Sequence, residues 1–179
     1  MNKNEFEQFV QDNGKEILRF CRITCGDKES GDELYQDTML KLLGKRHSLD
    51  GQQNVRSYAL SISIMLWKNK KKKYANRNRL IPMESYDRME TEGNLATANI
   101  TVMSPEDTYI QDDERNFVQQ VVAKLPEKYR MPIYLYYSAD RSVSEIAQIL
   151  HVPVGTIKSR MNKAKRLLKR ELEALGYDR

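Results

Sequence analysis

The sequence predicts an all-α protein of two small helical domains, residues 1–80 and 112–179, joined by a flexible acidic linker over 81–111. Three observations carry this. Apolar residues recur at three- and four-residue steps in both outer segments, the period of a helix with one buried face. Residues 82–114 hold nine acids against one base, with Pro82, Gly93 and Pro105 as breakers, which is linker composition. Finally, Ser142 to Arg170 reads as two helices separated by a tight turn. A length of 179 residues, 40% hydrophobic and 31% charged, suits soluble globular material.

In the first domain, Phe6, Phe9, Val10, Ile17, Leu18, Phe20, Cys21 and Cys25 mark an amphipathic helix, expected to be interrupted or bent near Gly14 and ended by Gly26. The polar GDKESGD stretch reads as a short connection, and helical spacing resumes from Asp32 to Leu43. KRHSLDGQQN is a polar loop with turn chemistry at Asp50-Gly51. A long helix follows from Val55 to about Arg79, and its character changes abruptly. VRSYALSISIMLW is apolar or small nearly all round, as in a buried helix, whereas KNKKKKYANRNR is basic with no acid. Such a run neutralises phosphates, and Tyr58 and Trp67 are placed to stack on unpaired bases. A polybasic membrane-surface patch or a solubilising face fits the charge run equally well.

In the second domain, Phe117, Val118, Val121, Val122 and Leu125 mark a helix ended by Pro126, and Tyr129 to Ala139 a second, with Pro132 a candidate kink. Ser142 and Glu145 have capping-box spacing, so a third helix starts there. Pro153 opens a fourth, with Val154, Ile157, Met161, Ala164 and Leu168 on one stripe. The opposite side carries Gly155, Ser159, Asn162, Lys163, Arg166 and Arg170, and from Lys158 to Arg170 there are seven Lys or Arg and no acid. A basic helix presented after such a turn has the geometry of helix-turn-helix DNA readers. A solvated amphipathic helix is the plainer alternative for the basic segment alone.

The segment IAQILHVPVGTIKSRMNKAKRLLKREL resembles region 4 of bacterial sigma-70-family factors, in the form seen in extracytoplasmic-function (ECF) sigma factors. ELYQDTMLKLL is similar to region 2.2 and LPEKYRMPIYLYY to region 4.1 of that family. The resemblance implies a sigma region 2 domain at 1–80, a linker at 81–111 and a sigma region 4 domain at 112–179. It implies that Glu33, Gln36 and Asp37 meet the beta-prime clamp of core RNA polymerase, with the beta flap as a further contact. It places Tyr58, Asn69, Lys70, Lys71, Lys72 and Lys73 at minus-10 recognition and melting. Tyr58 falls where the family commonly has tryptophan, while Met65 replaces a common asparagine. Helical phase and the family's contact positions converge on Lys158, Ser159, Asn162 and Lys163 as readers of the minus-35 element, with Arg166 and Arg170 on phosphates.

The resulting expectation is an ECF-type sigma factor that binds core polymerase and promoter DNA and is held by an anti-sigma factor, which in this family can be membrane-anchored. A free-standing helix-turn-helix regulator is the rival. No catalytic constellation, cofactor motif or metal cluster is expected, so the chain is not read as an enzyme. With no apolar run of spanning length and no secretory signal, neither membrane insertion nor export is expected, and the location is the cytoplasm. In that reducing compartment Cys21 and Cys25 are expected as buried thiols without a disulfide.

Overall fold

The computed structural model describes residues 1–49, 54–80 and 112–176, with side chains for 1–49, 54–77 and 117–176. The Asp50-Gly51 turn and the acidic stretch 81–111 lie outside the described residues. Among the described residues the chain is entirely helical: α1 (Lys3–Cys25), α2 (Lys28–Gly44), a short 3-10 turn (Arg46–Ser48), α3 (Val55–Leu80), α4 (Asp112–Ala123), α5 (Glu127–Tyr137), α6 (Val143–Leu150) and α7 (Val154–Ala174).

Helix α1 starts in a capping box between Asn2 and Glu5 and ends on Gly26, whose left-handed backbone (φ 85°) returns its N–H to the Arg22 carbonyl. Helix α1 runs through Gly14 without interruption. Gly14 instead lets a neighbour approach, because a Cβ there would sit 2.8 Å from the Tyr35 hydroxyl. The connection to α2 is also shorter than the polar GDKESGD run suggested. Asp27 accepts from the Ser30 N–H as an N-cap, so Lys28 to Asp32 is already helical. Gly31 sets the crossing of the two helices, since a Cβ there would lie 2.5 Å from the Arg22 Cα.

Against this hairpin packs the apolar half of α3. Ala59, Leu60, Ile62, Ile64 and Trp67 are buried with Ile17, Phe20, Leu34 and Leu42. Two hydroxyls inside this core are satisfied locally, Thr38 Oγ1 donating to the Leu34 carbonyl (2.7 Å) and Ser63 Oγ to the Leu60 carbonyl (2.8 Å), while Thr24 Oγ1 is buried without a partner among the described residues. Cys21 and Cys25 are free thiols, and burial pushes each up to about 12.

The second group is four helices. Pro126 stands at the N-cap of α5, so that helix begins two residues before the expected Tyr129, and α4 ends at Ala123. Helix α5 runs on through buried Pro132. Ser142 and Glu145 form the expected capping box at α6, both hydrogen bonds being present. His151 closes α6 in the left-handed region (φ 53°), and the Val152 N–H reaches back to the Ala147 carbonyl at 3.0 Å, a Schellman-type turn. Pro153 then opens α7. Ile157, Met161 and Ala164 are buried as the pattern requires, whereas Val154, in phase with them but at the start of the helix, is 39% exposed. The two helical groups touch each other, α1 against α5 and α3 against α6, and their buried residues form one contiguous cluster.

Gly31→Ala is expected to destabilise the fold by about 1–3 kcal/mol through overpacking, despite a helix-propensity gain of roughly 1 kcal/mol. Gly44 has no atom within 4 Å of a built Cβ, so Gly44→Ala should be neutral or stabilising. Urea unfolding of the two variants checks this: a Gly31→Ala midpoint at or above that of Gly44→Ala contradicts the close crossing.

Candidate nucleic-acid interface

Two surfaces gather the residues that the sequence singled out. On α7, Lys158, Ser159, Asn162, Lys163, Arg166 and Arg170 are all exposed, and the buried Ile157-Met161-Ala164 stripe faces the other way against α5 and α6. Burial of that stripe fixes the rotation of the helix, so the polar residues face outward. Ser159 Oγ donates to the Gly155 carbonyl (3.0 Å), which commits its proton to the helix and leaves its lone pairs to accept from a base amino group or a water. Alongside, an open cleft between α5 and α7 is lined by Lys128, Tyr129, Thr156, Ser159, Arg160 and Lys163. Lys128 was missed by the sequence reading because α5 comes beside α7 only through tertiary packing. Arg160 lay in the basic run, but off the phase of the chosen face.

The second surface is the basic half of α3. Lys68, Asn69, Lys71, Lys72 and Lys73 are exposed. Lys70 is different: its Nζ is shielded from solvent and lies 2.9 Å from Asp37 Oδ2 and 3.3 Å from Glu33 Oε1, an ion pair across the α2–α3 contact. Burial works against the charge of this ammonium, but the two carboxylates outweigh it and hold its pKa above the ordinary lysine value. Two residues picked out for polymerase are thus tied to one picked out for DNA, while Gln36 stands exposed beside them. Trp67 is buried with Lys71 Nζ 4.6 Å above its ring, so in this conformation it is core, and its face offers no stacking platform. Tyr58 is half-buried, with Lys45 Nζ 6.0 Å from its centroid, and Met65 is 39% exposed.

Glu127 also went unnoticed in the sequence. Its carboxylate lies 3.2 Å from Lys71 Nζ and 3.8 Å from Lys68 Nζ, so a residue of α5 partly neutralises the basic half of α3. Among the described residues no cluster of His, Cys, Asp and Glu is arranged to hold a metal ion, and no helix is long and apolar enough to cross a membrane.

Comparison with known proteins places these surfaces in a family. The family model for sigma-70 region 2 matches residues 9–77, which spans most of α1 through the basic half of α3. That for sigma-70 region 4 matches residues 118–168, from α4 into α7. The ECF RNA polymerase sigma factor SigW of Bacillus subtilis is 25% identical over 181 aligned residues, covering 97% of this chain and 92% of SigW. The ECF RNA polymerase sigma-E factor of Escherichia coli is 27% identical over 149 residues, covering 82% of this chain and 76% of that protein. Among solved structures, the sigma factor RpoE of Bartonella quintana, crystallised with the anti-sigma factor NepR, has the same fold. Its TM-score is 0.66 at 21% identity, covering 97% of this chain and 99% of RpoE. CnrH, solved with the cytosolic domain of CnrY, aligns with a TM-score of 0.65 at 20% identity, over 97% of this chain and 90% of CnrH. The two matched regions together take in more than half of the chain and coincide with the two helical groups, and the similarity to SigW runs nearly end to end: this chain belongs to the sigma-70 family, in its ECF group.

Proposed function

We propose that the chain binds core RNA polymerase and directs promoter-specific transcription initiation as an ECF-type sigma factor, with residues 1–80 and 112–179 as its two working domains. The observation that carries this is the pairing of two surfaces in one chain: a helix-turn-helix face that is polar and exposed, and a separate cationic helix end. Family matches to regions 2 and 4 support both. A free-standing regulator needs only the first surface and leaves the region 2 group without a role. In this reading the polymerase performs the chemistry, and the chain supplies recognition and strand separation.

Each named residue then has a physical task. Glu33, Gln36 and Asp37 on α2 offer the polymerase clamp an acidic, hydrogen-bonding face. Lys71, Lys72 and Lys73 hold phosphates of the separated strand, with Tyr58, Asn69 and Lys70 completing the minus-10 side. Unstacking a base costs a few kcal/mol, which contacts to the flipped base and backbone must offset. On α7, Lys158 and Lys163 suit guanine O6 and N7, Asn162 suits adenine, and Ser159 accepts from an amino group. Arg166 and Arg170, further along the helix, fix register on phosphates. The structural relative RpoE was crystallised with an anti-sigma factor, so an anti-sigma partner for this chain is part of the proposal.

Three measurements test the assignment. Purified core polymerase should transcribe from a cognate promoter only when this chain is added; a requirement for a second sigma factor would favour the regulator. Across a library of minus-35 variants at fixed salt, Asn162→Ala or Lys163→Ala should cost on the order of 1–3 kcal/mol at the preferred site and flatten discrimination at one or two base pairs. Arg166→Ala should weaken all sequences alike, and unchanged preference profiles for both reading-face variants contradict the docking. Replacing Lys72 and Lys73 with Ala in the polymerase complex should lower the salt slope of promoter binding by roughly 0.7–0.9 per lost contact. An unchanged slope removes these lysines from the DNA path.

A further inference from the structure

Lys70 is the member of the cationic run that turns inward. Along α3 it follows buried Ser63 and Trp67 at helical steps of four and three, so it prolongs the face that α3 packs against α1 and α2. Lys68, Lys71, Lys72 and Lys73 are exposed, whereas the Lys70 ammonium is shut off from solvent, 3.3 Å from Glu33 Oε1 and 2.9 Å from Asp37 Oδ2. Glu33 and Asp37 stand one turn apart on α2, and like charges at that spacing repel each other. The ammonium between them removes the repulsion and draws both carboxylates to one point. A lysine suits this task, because a compact charge with three donors can bridge two separate carboxylates.

The bridge takes one oxygen of each carboxylate. Their side chains stay 67% and 40% exposed, so Glu33 Oε2 and Asp37 Oδ1 remain for the donors of a partner. A carboxylate that swings freely in water loses rotamer freedom when a partner takes it, and one already held loses less. Lys70 can do the holding because its root is fixed: Trp67, one turn back, is core. A DNA phosphate, in contrast, meets this ammonium with two anions already around it.

We propose that Lys70 is a positioning residue for polymerase binding, which holds Glu33 and Asp37 in the arrangement that the polymerase takes, and that it carries no DNA phosphate itself. Its part in the minus-10 side is then indirect, through the fixed root of the cationic segment. The proposal rests on the reading of Glu33, Gln36 and Asp37 as the polymerase-facing group, and the test distinguishes the two.

Charge alone and positioning predict opposite results for Lys70→Met. Removing a cation makes the α2 face more acidic, which on charge alone tightens its hold on a cationic partner. Positioning predicts weaker binding. The experiment titrates full-length chain against core polymerase for wild type, Lys70→Met, Lys70→Arg, the pair Glu33→Gln with Asp37→Asn, and that pair combined with Lys70→Met. Lys70→Met should weaken binding roughly two- to tenfold, the cost of ordering one or two freed side chains. Lys70→Arg, which keeps the charge, should retain most of the affinity. In the Glu33→Gln, Asp37→Asn background Lys70→Met should have no further effect, since the residues through which it acts are gone. Promoter binding by holoenzyme assembled at saturating Lys70→Met should keep the wild-type salt slope. Equal or tighter polymerase binding by Lys70→Met overturns the proposal, as does an effect of the same size in both backgrounds. A slope lower by roughly 0.7–0.9 also overturns it, by showing a phosphate contact. Failure of the underlying reading looks different: Glu33→Gln with Asp37→Asn then leaves polymerase affinity unchanged. Circular dichroism checks the fold of each variant. If Lys70→Met lowers helicity, Lys70→Gln carries the same comparison, and an unchanged affinity in that variant counts against the proposal.

Discussion

Burial of the first half of α3 dictates where its second half goes, because a 26-residue helix is a rod of about 39 Å that shows no break where its chemistry changes. Ala59, Leu60, Ile62, Ile64 and Trp67 lock one end into the core formed with α1 and α2. The lysines that follow are then carried past the end of that core to a position set by packing, where Lys70 meets the α2 carboxylates and Lys68 and Lys71 meet Glu127 of α5. Everything proposed about strand separation and polymerase contact depends on that rigid transfer of position. An interruption near Trp67 would uncouple the cationic segment from the domain that places it.

The recognition helix obeys the same logic on a smaller scale. Ile157, Met161 and Ala164 set its rotation against α5 and α6, and the capping box at Ser142 together with the left-handed His151 sets the angle at which it leaves the turn. The reading face itself makes few contacts with the rest of the protein, which is what a surface that exchanges water for DNA requires.

Much of this was legible in the sequence because it depends on local chemistry. The capping box, the Pro153 start, the α7 stripe and the abrupt change within α3 are all fixed by neighbours within a few residues, and the structure has each of them. Misreadings came where one residue type serves two purposes. Gly14 reads as a breaker but leaves space for Tyr35, and the polar run after Gly26 reads as a loop although Asp27 caps a helix inside it. Trp67 reads as a stacking residue beside lysines, yet its ring is core. The candidate site was legible as two lists of residues, but the links between those lists were not. The pairing of Lys70 with Glu33 and Asp37 spans more than thirty residues of chain, and that of Lys71 with Glu127 more than fifty. No periodicity reports such distances. The exposed α7 residues were found because phase alone places them, whereas Lys128 and Glu127 acquire their neighbours only when α5 packs.

The central claim is that one chain joins sequence reading by α7 to strand separation by α3 on the polymerase. Permanganate reactivity of promoter thymines tests it most directly, because it reports unpaired bases at single-nucleotide resolution. With core polymerase and this chain together, reactive thymines should appear in one short tract downstream of the sequence that α7 reads, and with either component alone they should be absent. Protection of the upstream sequence with no reactive thymines anywhere, in the presence of both, would contradict the account and leave the chain a duplex-binding protein.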